Sequence, residues 1–306
     1  MSRIEPMMRQ IWRWSRGLAA VVMLTLALQA CDQPRIFSSS EEETRTLKES
    51  GAWNVDDAFV QLRISGGIAG VDWRLLIFDN GKIMYFQDYP RQGFVQDRLP
   101  ADEIGRIRAT FIENDFFQLN ERYLTEGAAD LFFYHVTFRE GEQSHAVLAD
   151  DLAAPPSLKA ILDMLRKQID RLQSLPLKLT LVVPSDTVKS GQPIPLKLRI
   201  ENQATHAINI TFPNTQQFDF YAVAAEAVQK ADLFPLTKLW RWAEGREFLM
   251  VIRELSFQGG QVQEMQITWD GRDSSGQPVT GEVWLGAELT GYPGGGTPLK
   301  KLVILP

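Results

Sequence analysis

Side chains able to catalyse a reaction or bind a metal are sparse in this sequence of 306 residues. The histidines are His135, His145 and His206, and none has a carboxylate or a second histidine at the spacing of a zinc motif such as H-E-x-x-H. His135 and His145 fall on neighbouring predicted strands and are able to face each other, but two ordinary positions near a sheet edge are the better interpretation. We therefore expect no metal site and no zinc protease activity.

Nucleophile and carboxylate motifs are equally scarce. The sequence has no Gly-x-Ser-x-Gly segment for an activated serine and no Gly-x-x-x-x-Gly-Lys segment for a phosphate. Asp150 and Asp151 form the best carboxylate pair, but adjacent acids in a loop usually accept hydrogen bonds from the local backbone. Asp270 and Asp273 belong to a turn that lacks the acidic residues of a calcium-binding loop. Because no nucleophile, base and oxyanion site come together, we expect a protein that is not an enzyme and needs no cofactor.

Cys31, the only cysteine, follows a segment with the features of a secretory signal. A basic segment with four arginines precedes the apolar run Gly17–Leu28, and Gln29-Ala30-Cys31 comes directly after that run. The run has 12 residues, fewer than the about 20 residues that a transmembrane helix needs. The segment Leu-Gln-Ala-Cys resembles the lipobox of bacterial lipoproteins, in which the cysteine becomes the lipidated first residue after cleavage.

The lipobox resemblance implies a location for the protein. Residues 1–30 would be removed as a lipoprotein signal peptide, and a lipid at Cys31 would hold the rest on the outer face of the cytoplasmic membrane, on the periplasmic or extracellular side. Asp32 resembles the signal that keeps lipoproteins in the inner membrane of some Gram-negative bacteria, and the choice between inner and outer membrane stays open. The membrane is thus one expected partner.

The chain beyond residue 30 is acidic. Residues 1–30 hold four arginines and one glutamate, so the remaining 276 residues carry 28 basic and 37 acidic side chains, a formal charge of −9. An acidic chain without a basic stripe is a poor candidate for binding nucleic acid. Residues 31–54 are polar, with the run Ser38-Ser39-Ser40-Glu41-Glu42-Glu43, and are predicted to form a flexible tether.

Residues 55–173 are predicted to form an α+β domain. Asn80-Gly81 separates two apolar runs and favours a type I′ hairpin turn, and Glu140-Gly141 indicates a second hairpin. Ile104, Ile107 and Phe111 recur at helical spacing. A longer helix is predicted after Pro155-Pro156, with one apolar stripe made by Leu158, Ile161, Leu162, Leu165, Ile169 and Leu172.

Residues 174–306 are predicted to form an all-β antiparallel sandwich, because short β-branched runs alternate with Gly, Pro and Asn. Trp269-Asp270-Gly271 resembles an ending found in bacterial immunoglobulin-like modules, and this resemblance implies an immunoglobulin-like sandwich. Tyr221–Thr237 does not fit this pattern and is interpreted as a helical or loop insertion. The predicted strands are Leu177–Val183, Ile194–Glu201, Ile208–Phe212, Phe248–Ile252, Glu264–Trp269 and Val283–Leu289.

A glycine-rich segment in the first domain is the candidate binding site. Ser65-Gly66-Gly67-Ile68-Ala69-Gly70 joins two predicted strands and permits backbone conformations that other residues do not adopt. The pattern alone favours a tight connection. The domain resembles emfourin, an inhibitor of thermolysin-like metalloproteases, through Arg63–Gly70, Phe116–Leu119, Ala129–Tyr134 and the closing helix. This resemblance makes Ser65, Gly66, Gly67 and Ile68 candidates for protease binding.

The second domain resembles the bacterial intracellular proteinase inhibitor family BsuPI. The resemblance is carried in order by Ser190-Gly191-Gln192-Pro193, Phe218-Asp219-Phe220, Leu239-Trp240-Arg241-Trp242 and Trp269-Asp270-Gly271. Two adjacent domains that resemble unrelated inhibitors imply a protease-binding lipoprotein. The expected partner is a metalloprotease for the first domain or a subtilisin-like serine protease for the second. The alternative is a structural or adhesive module of an envelope complex, in which the resemblance reports only the fold.

Overall fold

The structure is a computed structural model that describes residues 54–87, 92–229 and 236–306. The predicted signal peptide, Cys31 and nearly all of the predicted tether lie outside these residues. The described residues belong to one compact unit. Within the described ranges, no helix has the length and apolar character needed to cross a membrane.

The first half of the described chain is an antiparallel sheet covered by two helices. The elements are β1 (Ala58–Gly66), β2 (Val71–Phe78), β3 (Lys82–Gln87), β4 (Phe94–Arg98), α1 (Ala101–Glu113), β5 (Arg122–Tyr123), β6 (Phe132–Glu140), β7 (Gln143–Asp150) and α2 (Pro156–Gln173). In space the strands follow the order β4-β3-β2-β1-β6-β7-β5, and only the β5–β7 pair is parallel.

Both predicted hairpins are confirmed, although the first turn differs in type. Ile77 pairs with Ile83 across the β2–β3 turn, but only Gly81, with φ of 86°, has the positive φ that a type I′ turn requires at two positions. A Cβ at Gly81 would lie 2.6 Å from the carbonyl oxygen of Leu99. The glycine is therefore required both by its φ and by the close approach of the chain after β4.

The two predicted helices are also confirmed, and each buries its apolar stripe against the sheet. Ile107 and Phe111 of α1 are fully buried, and all six predicted stripe residues of α2 are buried as well. Phe111 stacks on Phe138 of β6 with ring centroids 4.3 Å apart. Because Phe138 also contacts Phe59, Phe116 and Phe117, an aromatic cluster anchors α1 to the sheet.

The second half consists mainly of strands. The strands are β8 (Leu177–Val182), β9 (Thr187–Lys189), β10 (Ile194–Asn202), β11 (Ile208–Phe212), β12 (Phe218–Ala224), β13 (Trp240–Arg241), β14 (Arg253–Phe257), β15 (Val262–Trp269), β16 (Gly281–Leu289), β17 (Gly294–Gly296) and β18 (Lys300–Leu305). They form a sheet of order β15-β10-β8, the pair β11–β14, and a set in which β16 pairs with β12, β17 and β18. Leu196 and Leu198 of β10 share one hydrophobic cluster with Phe220 of β12 and Leu285 of β16.

An α+β half thus precedes a β-rich half, while the immunoglobulin-like topology stays a prediction. One predicted strand is wrong: Phe248–Ile252 is irregular, and β14 begins at Arg253, which pairs with Phe212. The predicted insertion is only partly right, because Tyr221–Ala224 completes β12 and a short helix, Ala225–Gln229, follows. Tyr221 and Val223 pair with β16 instead of leaving the sheet.

The two halves share one sheet. Gly294, Gly295 and Gly296 of β17 pair with Gln96, Val95 and Phe94 of β4. The buried side chain of Gln96 adds hydrogen bonds from Nε2 to the carbonyl oxygens of Leu289, at 3.3 Å, and Gly291, at 3.1 Å. The sheet of the first half therefore continues into the second half through a strand made only of glycine.

A fragment spanning Leu175–Pro306 is still expected to fold by itself. The buried cluster of the second half runs from Leu181 to Ile304 and is separate from the cluster of the first half, and a domain needs its own core to fold alone. We expect a cooperative thermal transition for the purified fragment. A non-cooperative melt would contradict the predicted domain boundary at residue 174.

Candidate functional site

The glycine-rich segment forms the turn of the β1–β2 hairpin. Gly66 and Val71 are the last paired residues, and Gly67-Ile68-Ala69-Gly70 closes the turn with a hydrogen bond from the Gly70 amide to the Gly67 carbonyl at 3.0 Å. The Gly67 amide donates to the Leu131 carbonyl at 2.9 Å. These two bonds fix the backbone on both sides of Ile68, whose side chain is 91% exposed.

The glycines in this turn are required by its packing. Gly66 and Gly67 have φ of 96° and 67°, a range that disfavours other residues. A Cβ at Gly66 would lie 2.5 Å from the Leu131 carbonyl oxygen, and one at Gly67 would lie 2.8 Å from the Phe132 ring. The side chain available to a partner is therefore that of Ile68, while Gly66 and Gly67 hold the turn against β6.

Ser65 lies at the end of β1, where it pairs with Asp72 on one side and Phe133 on the other. It is partly exposed, and Phe133 is 38% exposed. Alternation along β1 and β6 places Ser65 and Phe133 on the face of the sheet opposite the helices. Ser65 and Ile68 thus border the same end of the sheet, although Ser65 belongs to its outer face.

Two further segments reach this end of the sheet. Gly66 pairs with Phe132, Phe133 pairs with Asp150, and Thr125 is bonded to Asp150. The β1–β2 turn, the segment before β6 and the segment after β7 therefore meet. We call this end the Ile68 edge; its exposed apolar side chains are Ile68, Leu124, Phe133 and Leu152.

Asp150 supports the Ile68 edge as a backbone acceptor. Its buried carboxylate accepts bonds from the Thr125 amide and hydroxyl and from the amides of Leu152 and Ala153, the latter two at 2.9 and 2.8 Å. Burial raises the pKa of Asp150, but these hydrogen bonds outweigh it and hold the pKa below its ordinary value. The prediction that this residue accepts hydrogen bonds from the local backbone is confirmed.

The Asp150 contacts should make folding sensitive to acid. Because the folded-state pKa is depressed, the charged carboxylate stabilises the fold above about pH 4, and this contribution is lost as pH falls through the lower folded-state pKa. Asp150→Asn should therefore lower the urea midpoint near neutral pH and reduce its decline on acidification. Asp163→Asn is the control, since its side chain is 67% exposed. Equal pH profiles for the native chain and Asp150→Asn would contradict this account.

An ionic cluster flanks the turn on the outer face. Asp72 bonds Arg63 at 2.8 Å and Arg74 at 3.1 Å. Burial raises the pKa of Asp72, but the hydrogen bonds and charges of the two arginines prevail and lower it. His135 pairs with Arg63, and its pKa is lowered by burial and then by the arginine charge. The cluster ties β1 to β2 directly below the turn.

A cavity of about 380 Å³ opens between β6 and α2, beside the Ile68 edge. Its walls combine apolar and charged side chains, among them Phe132, Tyr134, Asp151, Leu162 and Arg166. Arg166 donates to the Tyr134 hydroxyl, and the Phe132 amide donates to Asp151 at 3.3 Å. Burial raises the pKa of Tyr134, and the charge of Asp151 raises it further, while Arg166 lowers it by less. The hydroxyl therefore stays protonated near neutral pH and accepts a hydrogen bond from Arg166.

The remaining sequence candidates do not assemble into a site. His135 pairs with Leu148, whereas His145 pairs with Phe138 and bonds the Leu119 carbonyl at 2.9 Å through Nε2. The two histidines therefore do not face each other. Among the described residues, no group of three or more His, Cys, Asp or Glu side chains is arranged to hold a metal ion.

The aromatic and acidic motifs of the second half are structural. Trp269 is buried, stacks on Trp240 at 5.1 Å and donates from Nε1 to the Arg272 carbonyl. Asp273 accepts hydrogen bonds from the Ser275 and Gln277 amides and so stabilises the turn that contains it. Asp219 is completely buried and binds Arg241 at 2.6 and 2.9 Å.

Sequence reasoning missed the outer-face cluster and the cavity. Arg63 and Ser65 are two residues apart on β1, and Phe133 and His135 are two residues apart on β6, so each pair lies on one face of its strand. Sequence spacing would have placed all four side chains on the same face if the adjacency of β1 and β6 had been known. No spacing in the sequence indicates the cavity, because its walls come from strands and a helix that are distant along the chain.

Several solved structures are similar to parts of this chain. The alkylpurine DNA glycosylase AlkC of Pseudomonas fluorescens is 14% identical, with coverage of 49% of this chain and 39% of that chain and a TM-score of 0.28. A β-glucosidase of Listeria innocua is 10% identical over 42% of this chain and 16% of that chain, with a TM-score of 0.25. The β-glucosidase EmGH1 of Erythrobacter marinus is 10% identical over 42% and 15%, with a TM-score of 0.24. No curated protein matches the chain.

Two family models match separate segments of the sequence. Residues 91–166 match the Emfourin family, and residues 181–292 match BsuPI, described as an intracellular proteinase inhibitor. The first match begins after the β1–β2 turn, so the assignment of Ser65, Gly66, Gly67 and Ile68 to protease binding stays a prediction. The chain therefore joins a segment similar to emfourin to a segment similar to BsuPI, and both families indicate the function of a protease inhibitor.

Proposed function

We propose that this protein is a membrane-tethered, non-enzymatic inhibitor that binds a thermolysin-like metalloprotease through the Ile68 edge. The observation that carries the proposal is the 91% exposed side chain of Ile68 on a turn whose backbone is fixed on both sides. The apolar surface of such an exposed isoleucine side chain is removed from water only when a partner covers it.

The geometry of the turn suits tight binding. A loop that is ordered before association loses little conformational entropy when it binds. Gly67 keeps the turn in contact with Leu131 and Phe132, and the absence of side chains at Gly66 and Gly67 leaves Ile68 unobstructed. A single apolar side chain that enters a pocket, ringed by weaker contacts, is the usual form of an energetic hot spot.

The surroundings of Ile68 supply such a ring. Leu124, Phe133 and Leu152 add exposed apolar area, while Arg63 and Asp72 add charges at its border. Charges at the rim of an interface contribute more to specificity than to affinity. The Ile68 edge therefore combines an apolar centre with a polar border, as protein-binding surfaces commonly do.

The tether would place this surface at a distance from the bilayer. If residues 31–54 form the predicted tether of 24 residues, its root-mean-square span would be about 27 Å. A lipid at Cys31 would restrict the inhibitor to proteases that act outside the cytoplasm near the membrane. This arrangement concentrates inhibitor where an exported protease emerges.

Replacing Ile68 tests the proposal with thermolysin as the reference protease. We expect Ile68→Ala in the purified protein to raise the inhibition constant about 30-fold, the equivalent of about 2 kcal/mol. The melting temperature should not change, because the side chain has few contacts. Ile112→Ala is the matched control, since Ile112 is also an exposed isoleucine, 54% exposed, but lies on α1.

Three results would contradict the proposal. The first is that the native protein leaves thermolysin fully active. The second is that Ile68→Ala and Ile112→Ala lose the same affinity for thermolysin. The third is that the affinity lost by Ile68→Ala is matched by a lower melting temperature. The first result removes the metalloprotease as the target class. The other two remove the Ile68 edge as the contact surface.

A further inference from the structure

A patch of exposed apolar residues lies in the second half of the chain. Leu249, Met250, Val251 and Ile252 are consecutive, and they are 70%, 49%, 55% and 67% exposed. We call this stretch the 249–252 segment. Single exposed apolar residues are common on protein surfaces, but four in succession form a patch of the kind that marks an interaction site.

The 249–252 segment is a loop with a tight turn. The Val251 amide donates to the Leu249 carbonyl at 2.9 Å, so the chain turns at Met250 instead of continuing as an extended strand. Regular pairing resumes at Arg253, where β14 begins. Because all four residues stay exposed, the described part of the chain leaves the apolar surface of this loop uncovered.

The base of the loop is fixed by hydrogen bonds and aromatic packing. The Leu249 amide donates to Thr215 Oγ1 at 2.9 Å, and the Leu249 carbonyl accepts from the Thr215 amide at 3.0 Å. Trp242 stacks on Phe218 with ring centroids 4.6 Å apart and contacts Phe248 at 6.2 Å. A loop that is held in this way loses little conformational entropy when it binds.

The charges around the loop cancel. Arg246 and Glu247 precede it, Arg253 and Glu254 follow it, and all four residues are exposed. A surface that binds anionic lipid or nucleic acid carries an excess of Lys and Arg. The loop therefore recognises its partner through apolar contact and not through net charge.

The composition of the loop favours lipid over protein. It contains neither an aromatic residue nor an arginine, whereas Trp, Tyr and Arg dominate the centres of protein–protein interfaces. Leu, Met, Val and Ile suit the hydrocarbon of a bilayer, because burial there depends on apolar area and not on the shape of a pocket.

The backbone of the loop sets the depth of insertion. Among the described residues, the amides of Met250 and Ile252 have no hydrogen-bond partner, and an unpaired amide is costly in the hydrocarbon core. Near the headgroups, water and lipid oxygens are available as acceptors. Insertion of the side chains at the boundary between headgroups and acyl chains satisfies both the apolar and the polar groups of the loop.

The predicted tether would keep a bilayer within reach of the loop. If Cys31 carries a lipid, residues 31–54 would hold the folded part at a distance of about 27 Å from its anchor. A link of this length turns the second contact into an intramolecular event, with an effective concentration on the order of 1 mM. Weak affinity of the loop for lipid would then be enough, whereas a soluble partner would need a much higher affinity for the same occupancy.

We propose that the 249–252 segment inserts among the zwitterionic headgroups of the bilayer that carries the lipid anchor. This inference rests on the proposed membrane tether and deepens it, since it gives the folded part its own contact with the membrane. A lipid at Cys31 and the inserted loop would together restrict the rotation of the protein. The Ile68 edge would then meet proteases in a limited range of orientations.

Vesicle binding by a chain without lipid tests the loop alone. Residues 32–306 include every described residue and lack the predicted signal peptide and lipidation site. We expect this chain to bind phosphatidylcholine vesicles weakly in a sedimentation assay, with an affinity that salt does not change, since screening weakens only the attraction between charges. Met250→Asp combined with Ile252→Asp should lower the partition coefficient at least about 10-fold, because apolar contact is replaced by charge.

A second double variant is the matched control for added charge. Val262 and Leu305 are also exposed apolar residues of the second half, 42% and 43% exposed, on β15 and β18. Val262→Asp combined with Leu305→Asp should change the partition coefficient less than about 2-fold. All three proteins should melt at similar temperatures and inhibit thermolysin equally.

The lipidated full chain provides a readout at the loop itself. Cys31 is the only cysteine and a lipid would occupy it, so Met250→Cys would introduce the only free thiol. A nitrobenzoxadiazole label on this thiol should emit more strongly and at shorter wavelength in phosphatidylcholine vesicles, and nitroxide lipids should quench it. The same label on Val262→Cys should emit as it does in water.

Four results would overturn the inference. The first is that the native chain without lipid does not bind vesicles, or binds no better than the Met250 and Ile252 double variant. The second is that binding requires anionic lipid and is lost in salt. The third is that the label at residue 250 remains in water. The fourth is a dimer of the native chain that the double variant does not form, since the loop would then be covered by a second copy.

The vesicle assay also separates this inference from the proposed function. It uses a chain without a lipid anchor, so its result does not depend on lipid attachment at Cys31. It does not involve protease binding, so it does not depend on Ile68. Failure of the loop to bind vesicles would leave both of those proposals in place, and their failure would leave the vesicle result unchanged.

Discussion

A Cys31→Ala chain should carry no lipid, and it should either leave the membrane fraction or accumulate as an unprocessed precursor. Each buried methylene of an acyl chain contributes about 0.8 kcal/mol to membrane binding, so loss of even one long chain removes about 10 kcal/mol. The apolar run Gly17–Leu28 is too short to replace it as an anchor after processing.

Metabolic labelling with radioactive palmitate, followed by membrane fractionation and a mass measurement, distinguishes these results. Ser38→Ala, within the predicted tether, is the control and should remain labelled, processed and bound to membranes. A Cys31→Ala protein that still takes up palmitate and sediments with membranes would contradict lipid attachment at this residue.

Gly295→Ala should destabilise the fold by at least about 3 kcal/mol. Gly295 has φ of 148°, and a Cβ there would lie 2.2 Å from the Phe94 carbonyl oxygen and 3.0 Å from the Val95 Cα. Both obstacles are backbone atoms of β4, so they move only if the β4–β17 pairing is lost. Thermal unfolding gives the overall effect, and hydrogen exchange at Phe94–Gln96 locates it.

Gly276→Ala provides a matched comparison for this prediction. Gly276 also has positive φ, 81°, but a Cβ there would meet no atom within 4 Å. Its replacement should cost only the conformational penalty, about 1 kcal/mol. If Gly295→Ala costs no more than Gly276→Ala, close packing between β4 and β17 contributes little to stability.

Local patterns predicted the elements of the first half well. The spacing of Ile107 and Phe111 and the stripe of α2 indicate helices because each apolar face is buried against one sheet. The prediction failed at Phe248–Ile252, since its composition favours a strand while its backbone lacks a neighbouring strand. β propensity reflects packing against a partner, and that partner is not visible in local sequence.

The candidate site was predictable only in part. Glycines between two strands pointed to a special turn, and the structure gives Gly66 and Gly67 positive φ. The exposure of Ile68 and the meeting of three segments at Asp150 depend on strand order, which local sequence does not encode. The β4–β17 pairing was equally hidden, because three glycines carry no hydrophobic pattern that would set a register.

The glycine strand also has a consequence for handling the two halves separately. Cutting the chain between them would leave β4 and β17 each with an uncovered row of amides and carbonyls, and β17 has no side chains to guard it. Unprotected edges recruit other chains, which leads to self-association or to exchange of strands between copies. A separated half that folds correctly would therefore still tend to associate through its exposed strand edge. A dimer formed by either half would then be a consequence of the lost β4–β17 pairing and not evidence of a native dimer.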